Sequence, residues 1–349
     1  PSDKAEAGDI VAVAGLTKAT VADTLCANDI TRPIDSQPVD PPTLAMTFSI
    51  NDSPFSGREG KKVTSRMIRE RLLREAEGNV SIVVKTGNQK DSFEVSGRGE
   101  LQLGVLIEQM RREGFELSIS RPRVLFRKNI ETEEIEEPLE EIQIDVDEEF
   151  SGIVVEALNI RKGRLLELRP SGGGKSRLVF HAPARGLIGY HGEFLTETRG
   201  TGIMSRMFHS YTLYQGSIPG RRNGVLISNA TGKSVAYGLS SLEGRGPLFV
   251  GSGVQVYDGM IIGEHSRGND LEVNPMKSKQ LTNIRASGTD DAIRLTPPRR
   301  MSLEQAIAYI NDDELVEVTP STIRLRKRLL DPHARKRVLR ESAKEDRSH

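Results

Sequence analysis

Two glycine-lysine turns are the first places in the sequence where side-chain type and spacing could do chemistry. Ser171–Ser176 reads SGGGKS and Thr231–Ser234 reads TGKS, the ending of a loop that cradles phosphates with backbone amides and a lysine. That loop has the form G-x-x-x-x-G-K-[ST], so a glycine is needed at 169 and at 227. Arg169 and Ile227 stand there instead. A phosphate loop must also open a helix whose N-terminus faces the anion. RLVFHAP after the first lysine is strand-like, and we expect neither site to be followed by a helix. Both are predicted to be hairpin turns in which glycine supplies positive φ. The six histidines show no HExxH or paired-ligand spacing. His181, His191 and His209 are expected to be structural, and no metal site or catalytic constellation emerges.

Two basic stretches offer binding chemistry instead. Between Ser321 and Arg340, the cations Arg324, Arg326, Lys327, Arg328, Arg335, Lys336, Arg337 and Arg340 face a single acid, Asp331. Asp331-Pro332 is a helix start, with Asp as N-cap and Pro in the first turn. A merely solvated helix normally mixes acids among its bases, so contact with phosphates is favoured over a bland charged tail. Asn274–Ser287, NPMKSKQLTNIRAS, carries Lys277, Lys279 and Arg285 with amides at Gln280 and Asn283. Cations for phosphates and amides for bases or riboses suit folded RNA, and an ordinary loop is the alternative. Its few large apolar residues predict a segment that orders only on RNA. Arg299 and Arg300 complete the expected RNA-binding set, being the last of six basic residues, against two acidic ones, in 274–300.

The elements that must position these residues follow from periodicity. Residues 43–50 alternate like a half-buried strand, and a helix is predicted from Lys61 to Glu77 with Val63, Met67, Ile68, Leu72 and Ala76 apolar. Strands follow near 80–85 and 93–96. A helix from Leu101 to Glu113 places Leu103, Leu106, Ile107 and Met110 inward, and a strand at 115–120 completes β-α-β-β-α-β, the ferredoxin-like order. The same order repeats: strand 139–147, helix 151–162 with Val154, Ala157 and Leu158 inward, strands 164–169 and 176–182, a weaker helix 186–198 and strand 202–214. Residues 131–149 hold eleven carboxylates and no base, read as a solvated hinge and the exposed side of a strand edge rather than a metal site. After Gly216, short apolar runs between glycines predict a β-rich module. It includes a helix from Ser302 with Gln305 as capping-box partner.

The fold class is therefore α+β: two successive ferredoxin-like (split βαβ) domains, 43–130 and 136–215, then a β-rich module with short helices and a basic tail, 216–349. Residues 1–42 are read as the tail of a β domain, with GDIVAVAG at 8–15 as a strand. They are too few for a core of their own, and the chain opens on Pro1 without Met, so a piece of a longer protein is expected. The 349 residues are 36% hydrophobic and 28% charged, with 49 basic against 49 acidic side chains. That balance excludes a uniformly basic sleeve but not local basic patches. A single cysteine, Cys26, excludes a disulfide framework and a Cys-based zinc site and fits a reducing compartment. No apolar run reaches the roughly eighteen residues of a membrane span. A cytoplasmic, monomeric protein with no membrane partner is expected.

Several long passages resemble translational GTPases of the elongation factor G type. GDIVAVAGL followed by DTLC is similar to the end of their second, β-barrel domain. Ser96–Leu117, SGRGELQLGVLIEQMRREGFEL, resembles the second helix of their third domain, and Arg185–Tyr211 the end of their fifth. LRPSGGGKSRLVFHAPARGLIGYHGEFLTETRGTGIM, followed by a long C-terminal module, resembles the BipA/TypA GTPases. The resemblance implies the end of domain II, then domains III and V and a family-specific C-terminal domain. It implies partners as well: the ribosome, through rRNA and the acceptor end of A-site tRNA, in large-subunit assembly and stress-adapted translation. GTP and magnesium would belong to a domain that these residues do not contain, so no cofactor and no catalytic residue is carried onto this chain. A stand-alone phosphate-handling enzyme and a protein-interaction scaffold are the alternative classes.

Overall fold

The computed structural model describes residues 4–16, 23–35, 41–87, 89–278 and 293–345. Described residues before 42 form no strand, and Ile10, Val11 and Val13 are exposed. The strand expected at 8–15 is therefore not formed: an apolar run becomes a strand only when a neighbour takes its backbone hydrogen bonds, and none among the described residues does.

The first unit comprises β1 (Leu44–Ile50), α1 (Ser65–Gly78), β2 (Val83–Thr86), β3 (Ser92–Gly97), α2 (Glu100–Arg112) and β4 (Leu117–Ser120). Its strands lie in the order β4-β1-β3-β2, all antiparallel, the split-βαβ arrangement. α1 opens on Thr64, whose hydroxyl accepts the Met67 amide. Ile68 and Leu72 are buried, whereas Met67 is exposed. α2 has Glu100 in its first turn and Arg111 and Arg112 in its last, complementing the helix dipole. Leu103, Leu106, Ile107 and Met110 are all buried.

Two short strands, β5 (Arg123–Val124) and β6 (Arg127–Lys128), lead to the second unit. It comprises β7 (Ile135–Asp147), α3 (Ser151–Ile160), β8 (Arg164–Gly172), β9 (Lys175–Pro183), α4 (Tyr190–Glu197) and β10 (Ile203–Leu213). The order β10-β7-β9-β8 repeats the first topology strand for strand. Ile142, Ile144, Val154, Leu158, Leu178 and Phe180 form its core. The expected helix 186–198 is broken into a 3-10 turn at Ala184–Leu187 and α4, because Gly189 adopts φ 76° between them. β7 pairs on both sides and is central rather than an edge. Its acidic residues are not all solvated either: Glu136, Glu137 and Glu140 are buried. They face Arg127 with Asn129, Arg185 and Arg206, respectively.

The remaining elements are β11 (Val225–Ser228), β12 (Gly232–Lys233), α5 (Ala236–Glu243), β13 (Gln255–Val256), β14 (Met260–Glu264) and β15 (Leu271–Val273), then α6 (Leu303–Tyr309), β16 (Glu314–Val318), β17 (Ile323–Lys327) and α7 (Pro332–Glu345). This segment continues the first unit's sheet. β16 pairs antiparallel with β4, and the sheet runs on as β15-β11-β14-β17-β16-β4-β1-β3-β2, with β5 paired to β1 as its tenth strand. The exposed edge that β4 would otherwise present is covered. One apolar core spans the junction, with Phe48, Leu106 and Ile119 beside Ile261, Ile307 and Val316. α6 has the expected capping box of Ser302 and Gln305, and buries Leu303, Ala306 and Ile307. Among the described residues no helix is long and apolar enough to cross a membrane.

Candidate nucleic-acid interface

α7 starts as its sequence dictates. Asp331 accepts the backbone amides of His333 at 3.1 Å and Ala334 at 3.2 Å, and Pro332 is the first helical residue. Those amides, His333 first, hold the Asp331 carboxyl below its ordinary range. Lys336, Arg337 and Arg340 are exposed along the helix. Arg335 points inward instead: it bonds Glu272 of β15 at 3.1 Å and the Leu329 carbonyl at 2.8 Å. It anchors the helix to the sheet's edge strand, and its charge is spent on Glu272 rather than left for phosphate.

The same edge strand leads into the second basic stretch. After β15 the chain turns at Asn274, whose side chain accepts the Met276 amide at 2.8 Å, while the Pro275 carbonyl accepts the Val235 amide at 3.0 Å beside α5. Lys277 is exposed just beyond. β15 thus carries the α7 anchor at Glu272, and the turn that follows it carries Lys277, five residues on. Lys279, Gln280, Asn283 and Arg285 lie outside the described residues. Arg300 is exposed, and Arg299, half exposed, pairs with Glu264 at 3.5 Å. Arg328 is exposed and donates to the Asp312 carbonyl.

Arg324, Arg326 and Lys327 are a correction to the sequence reading. They form β17, inside the ten-stranded sheet, and their charges are consumed within the protein. Arg324 pairs with Glu59 and with Glu317 at 3.0 Å. Arg326, with its side chain 1% exposed, pairs with Asp52 and bonds Ser118 at 3.1 Å. Lys327 lies 2.6 Å from Asp270, 2.8 Å from Asp313 and 2.9 Å from Glu314. Phosphate contact through these three would require breaking buried ion pairs. The signal was present just upstream in INDDELVEV, since β16 supplies Glu314 and Glu317 as hairpin partners. These acids lie outside the stretch from Ser321 to Arg340, so the charge balance of that stretch alone does not show them.

Electrostatics around β17 are those of a structural network. Burial works to raise the Glu314 carboxyl, but Arg221 and Lys327 outweigh it and hold it below the usual range. Burial likewise opposes the Lys327 charge, and Glu314, Asp270 and Asp313 together raise its pKa. Asp270, Asp313 and Glu314 are close enough to hold a cation, and the Lys327 ammonium occupies that position. Glu317 also accepts from Asn51, Ser53 and Tyr257 at 3.1, 2.9 and 2.6 Å. Glu116 takes the Gly57, Glu59 and Gly60 amides at 2.8, 3.0 and 2.6 Å. The 51–60 loop is thereby tied to the C-terminal strands.

The glycine-lysine turns divide. Gly172, Gly173 and Gly174 take φ of 81°, 62° and 75° in the β8–β9 hairpin, as expected. Thr231–Ser234 is not a hairpin turn: β12 pairs with the distant β13, and α5 begins at Ala236. A helix therefore does follow the second lysine, contrary to expectation. The Ser234 hydroxyl is nevertheless committed to the Gly251 carbonyl at 2.7 Å. A Cβ at Gly232 would meet the Met276 sulfur at 2.5 Å, so this glycine serves packing.

Residues 223–332 match the TypA/BipA C-terminal domain, and residues 134–222 match the elongation factor G C-terminus. The chain is 52% identical over 339 residues to the large ribosomal subunit assembly factor BipA of Haemophilus influenzae, covering 97% of this chain and 55% of that protein. The protein of the same name from Escherichia coli K12 is 52% identical over 340 residues, covering 97% and 56%. That of Buchnera aphidicola is 50% identical over 335 residues, covering 96% and 55%. A crystal structure of a Thermus thermophilus protein aligns at a TM-score of 0.34 and 13% identity over 52% of this chain and 42% of that one, too loosely to bear on the fold. The chain spans about half the length of the curated relatives it matches. With half of its residues identical to theirs along nearly its whole length, and residues 223–332 matching the TypA/BipA C-terminal domain, the chain is a relative of the TypA/BipA proteins over the half of them that it spans.

Proposed function

We propose that this chain is the RNA-facing part of a ribosome-binding protein that acts in assembly of the large subunit. The observation that carries this reading is the cationic edge formed by Lys336, Arg337 and Arg340 on α7 and by Lys277 beyond β15. Among the described residues none of these cations pairs with a buried acid, unlike their neighbours on β17. The relatives' name, large ribosomal subunit assembly factor, supports the ribosome as the partner. Within this reading, residues 43–130 and 136–215 are domains III and V, and 216–349 is the family-specific domain. Lys279, Gln280, Asn283 and Arg285 would reach rRNA or the A-site tRNA acceptor end. GTP and magnesium would be handled in the portion of the relatives that these residues do not cover.

The test is the salt dependence of binding to large ribosomal subunits. Replacing Lys336, Arg337 and Arg340 by Ala should weaken binding and lower the log–log salt slope by roughly 0.7–0.9 for each lost phosphate contact. An unchanged slope with all three replaced overturns the assignment of this edge. Binding that ignores salt altogether would favour a protein-interaction scaffold instead.

A further inference from the structure

The second unit's sheet brings together two histidines that the sequence separates by 28 positions. His181 on β9 stands directly opposite Glu141 on the central β7. His209 lies on β10, on the other side of β7, where the register slips between Phe208 and Ser210. It is the extra residue of a β-bulge, the device that re-aims a side chain out of strand alternation. The two imidazole rings are 4.2 Å apart between centroids. One donor atom from each of Glu141, His181 and His209 lies within 4.8 Å of the others.

The three face away from the helices. Along β7 and β9, Ile142, Ile144, Phe180 and Ala182 point to the α3 and α4 side and are buried, so Glu141 and His181 occupy the open face. His181 Nε2 is cut off from solvent and has no hydrogen-bond partner among the described residues. The Glu141 carboxylate is 3.5 Å away, too far for a good bond. Orphaned buried polar atoms are rare because each costs the desolvation of the group. His209 Nδ1 lies 2.9 Å from the Ser210 hydroxyl. That contact fixes the ring through one nitrogen and leaves the other available, the arrangement that orients metal-bound imidazoles.

We propose that Glu141, His181 and His209 form a binding site for a divalent transition-metal ion of the zinc class. Two imidazoles and one carboxylate are a donor set for zinc and its neighbours rather than for magnesium or calcium, which take oxygen shells. Donors around a tetrahedral zinc sit about 3.3 Å apart, given bond lengths of roughly 2.0–2.1 Å. The His181–Glu141 separation already matches. His209, exposed at the bulge, closes the remaining distance by a small shift in which the adjacent Ser210 hydroxyl follows its Nδ1. Water completes the fourth position on the open face. Arg164, exposed and opposite His181 on β8, is the positive neighbour of the site. The bound ion ties β9 to β10 across β7, joining strands that share no hydrogen bonds with each other. This site is independent of the RNA-facing reading.

The experiment is titration of the metal-free chain with Zn²⁺ by calorimetry, and with Co²⁺ followed by visible absorption. The expected result is one ion per chain, with the intense visible bands of a tetrahedral Co²⁺ site. His181→Gln and His209→Gln should each weaken Zn²⁺ binding at least tenfold and abolish the bands, while His191→Gln and His265→Gln leave both unchanged. His209 is exposed, so His209→Gln should fold normally, which a thermal melt without metal verifies. Absence of binding, or binding that survives the His181→Gln/His209→Gln double variant, overturns the proposal.

Discussion

The Lys327 ammonium sits 2.9 Å from the Glu314 carboxylate inside the ten-stranded sheet, and both side chains are almost wholly excluded from water. Arg221 holds Glu314 from the other side, at 2.8 and 2.9 Å. A buried carboxylate thus shares two cations from distant parts of the chain. Removing one member of such a pair leaves an uncompensated buried charge, which costs about 3–5 kcal/mol. Because Arg221 remains, Lys327→Met should fall at the lower end, about 3 kcal/mol. Chemical denaturation should show that loss, while the salt slope of ribosome binding by the folded fraction stays unchanged.

Acid should release the same network. Glu59, Glu116 and Glu314 all have folded pKa values below the ordinary 4.5. In each case burial pushes upward and is outweighed: by Thr319, Arg324 and Thr322 at Glu59, by backbone amides and Asn51 at Glu116, and by Arg221 and Lys327 at Glu314. A depressed carboxyl adds stability that is fully present above its unfolded value and is lost as pH falls through its folded one. Stability should therefore hold down to pH 4.5 and decline progressively below it. Urea midpoints measured across that range check this, and Glu314→Gln should flatten the decline.

The turns at Lys175 and Lys233 should not support GTP chemistry. Lys175 continues a hairpin into β9, and the hydroxyl after Lys233 already serves the Gly251 carbonyl. Purified chain should release no phosphate from GTP above background, and Lys175→Ala and Lys233→Ala should change nothing. Turnover lost on either substitution would show that one of them is a working site.

Periodicity read well wherever a residue's fate was decided by its neighbours along the chain. Leu103, Leu106, Ile107 and Met110 repeat at helical spacing and are all buried, and Ser302 with Gln305 forms the capping box. Asp331-Pro332 starts α7 for the same local reason. Fates decided by strand pairing were not legible. Arg326 looks like a surface cation until β14 and β16 flank its strand and Asp52 approaches from residues far away in sequence. Glu137 and Glu140 look solvated until β7 turns out to be central and Arg185 and Arg206 reach them. His181 and His209 are unrelated by spacing, because the order β10-β7-β9 and the bulge set their distance.

Two glycines three residues apart should respond oppositely to alanine, which makes the contact between the second unit and α6 testable. Gly189 takes φ 76°, a conformation that residues with a Cβ rarely adopt. Its amide donates to Glu100 of α2 at 3.0 Å, and an added Cβ would lie 2.8 Å from the Ala308 Cβ on α6. It also borders a cleft of about 910 Å³ between the units, lined by Leu101, Met207 and Gln305 among others. Gly189→Ala combines a left-handed backbone with a clash across that contact, so a loss of about 1–3 kcal/mol is expected. Hydrogen exchange should also accelerate in α4 and α6. Gly192 sits inside α4, exposed, and an added Cβ there meets nothing within 4 Å. There alanine removes only the conformational cost of a helical glycine, and a gain of about 0.5–1 kcal/mol is expected. Thermal melts of the two variants decide the matter by sign. If Gly189→Ala is as stable as the parent, the close approach of the second unit to α6 does not exist in solution.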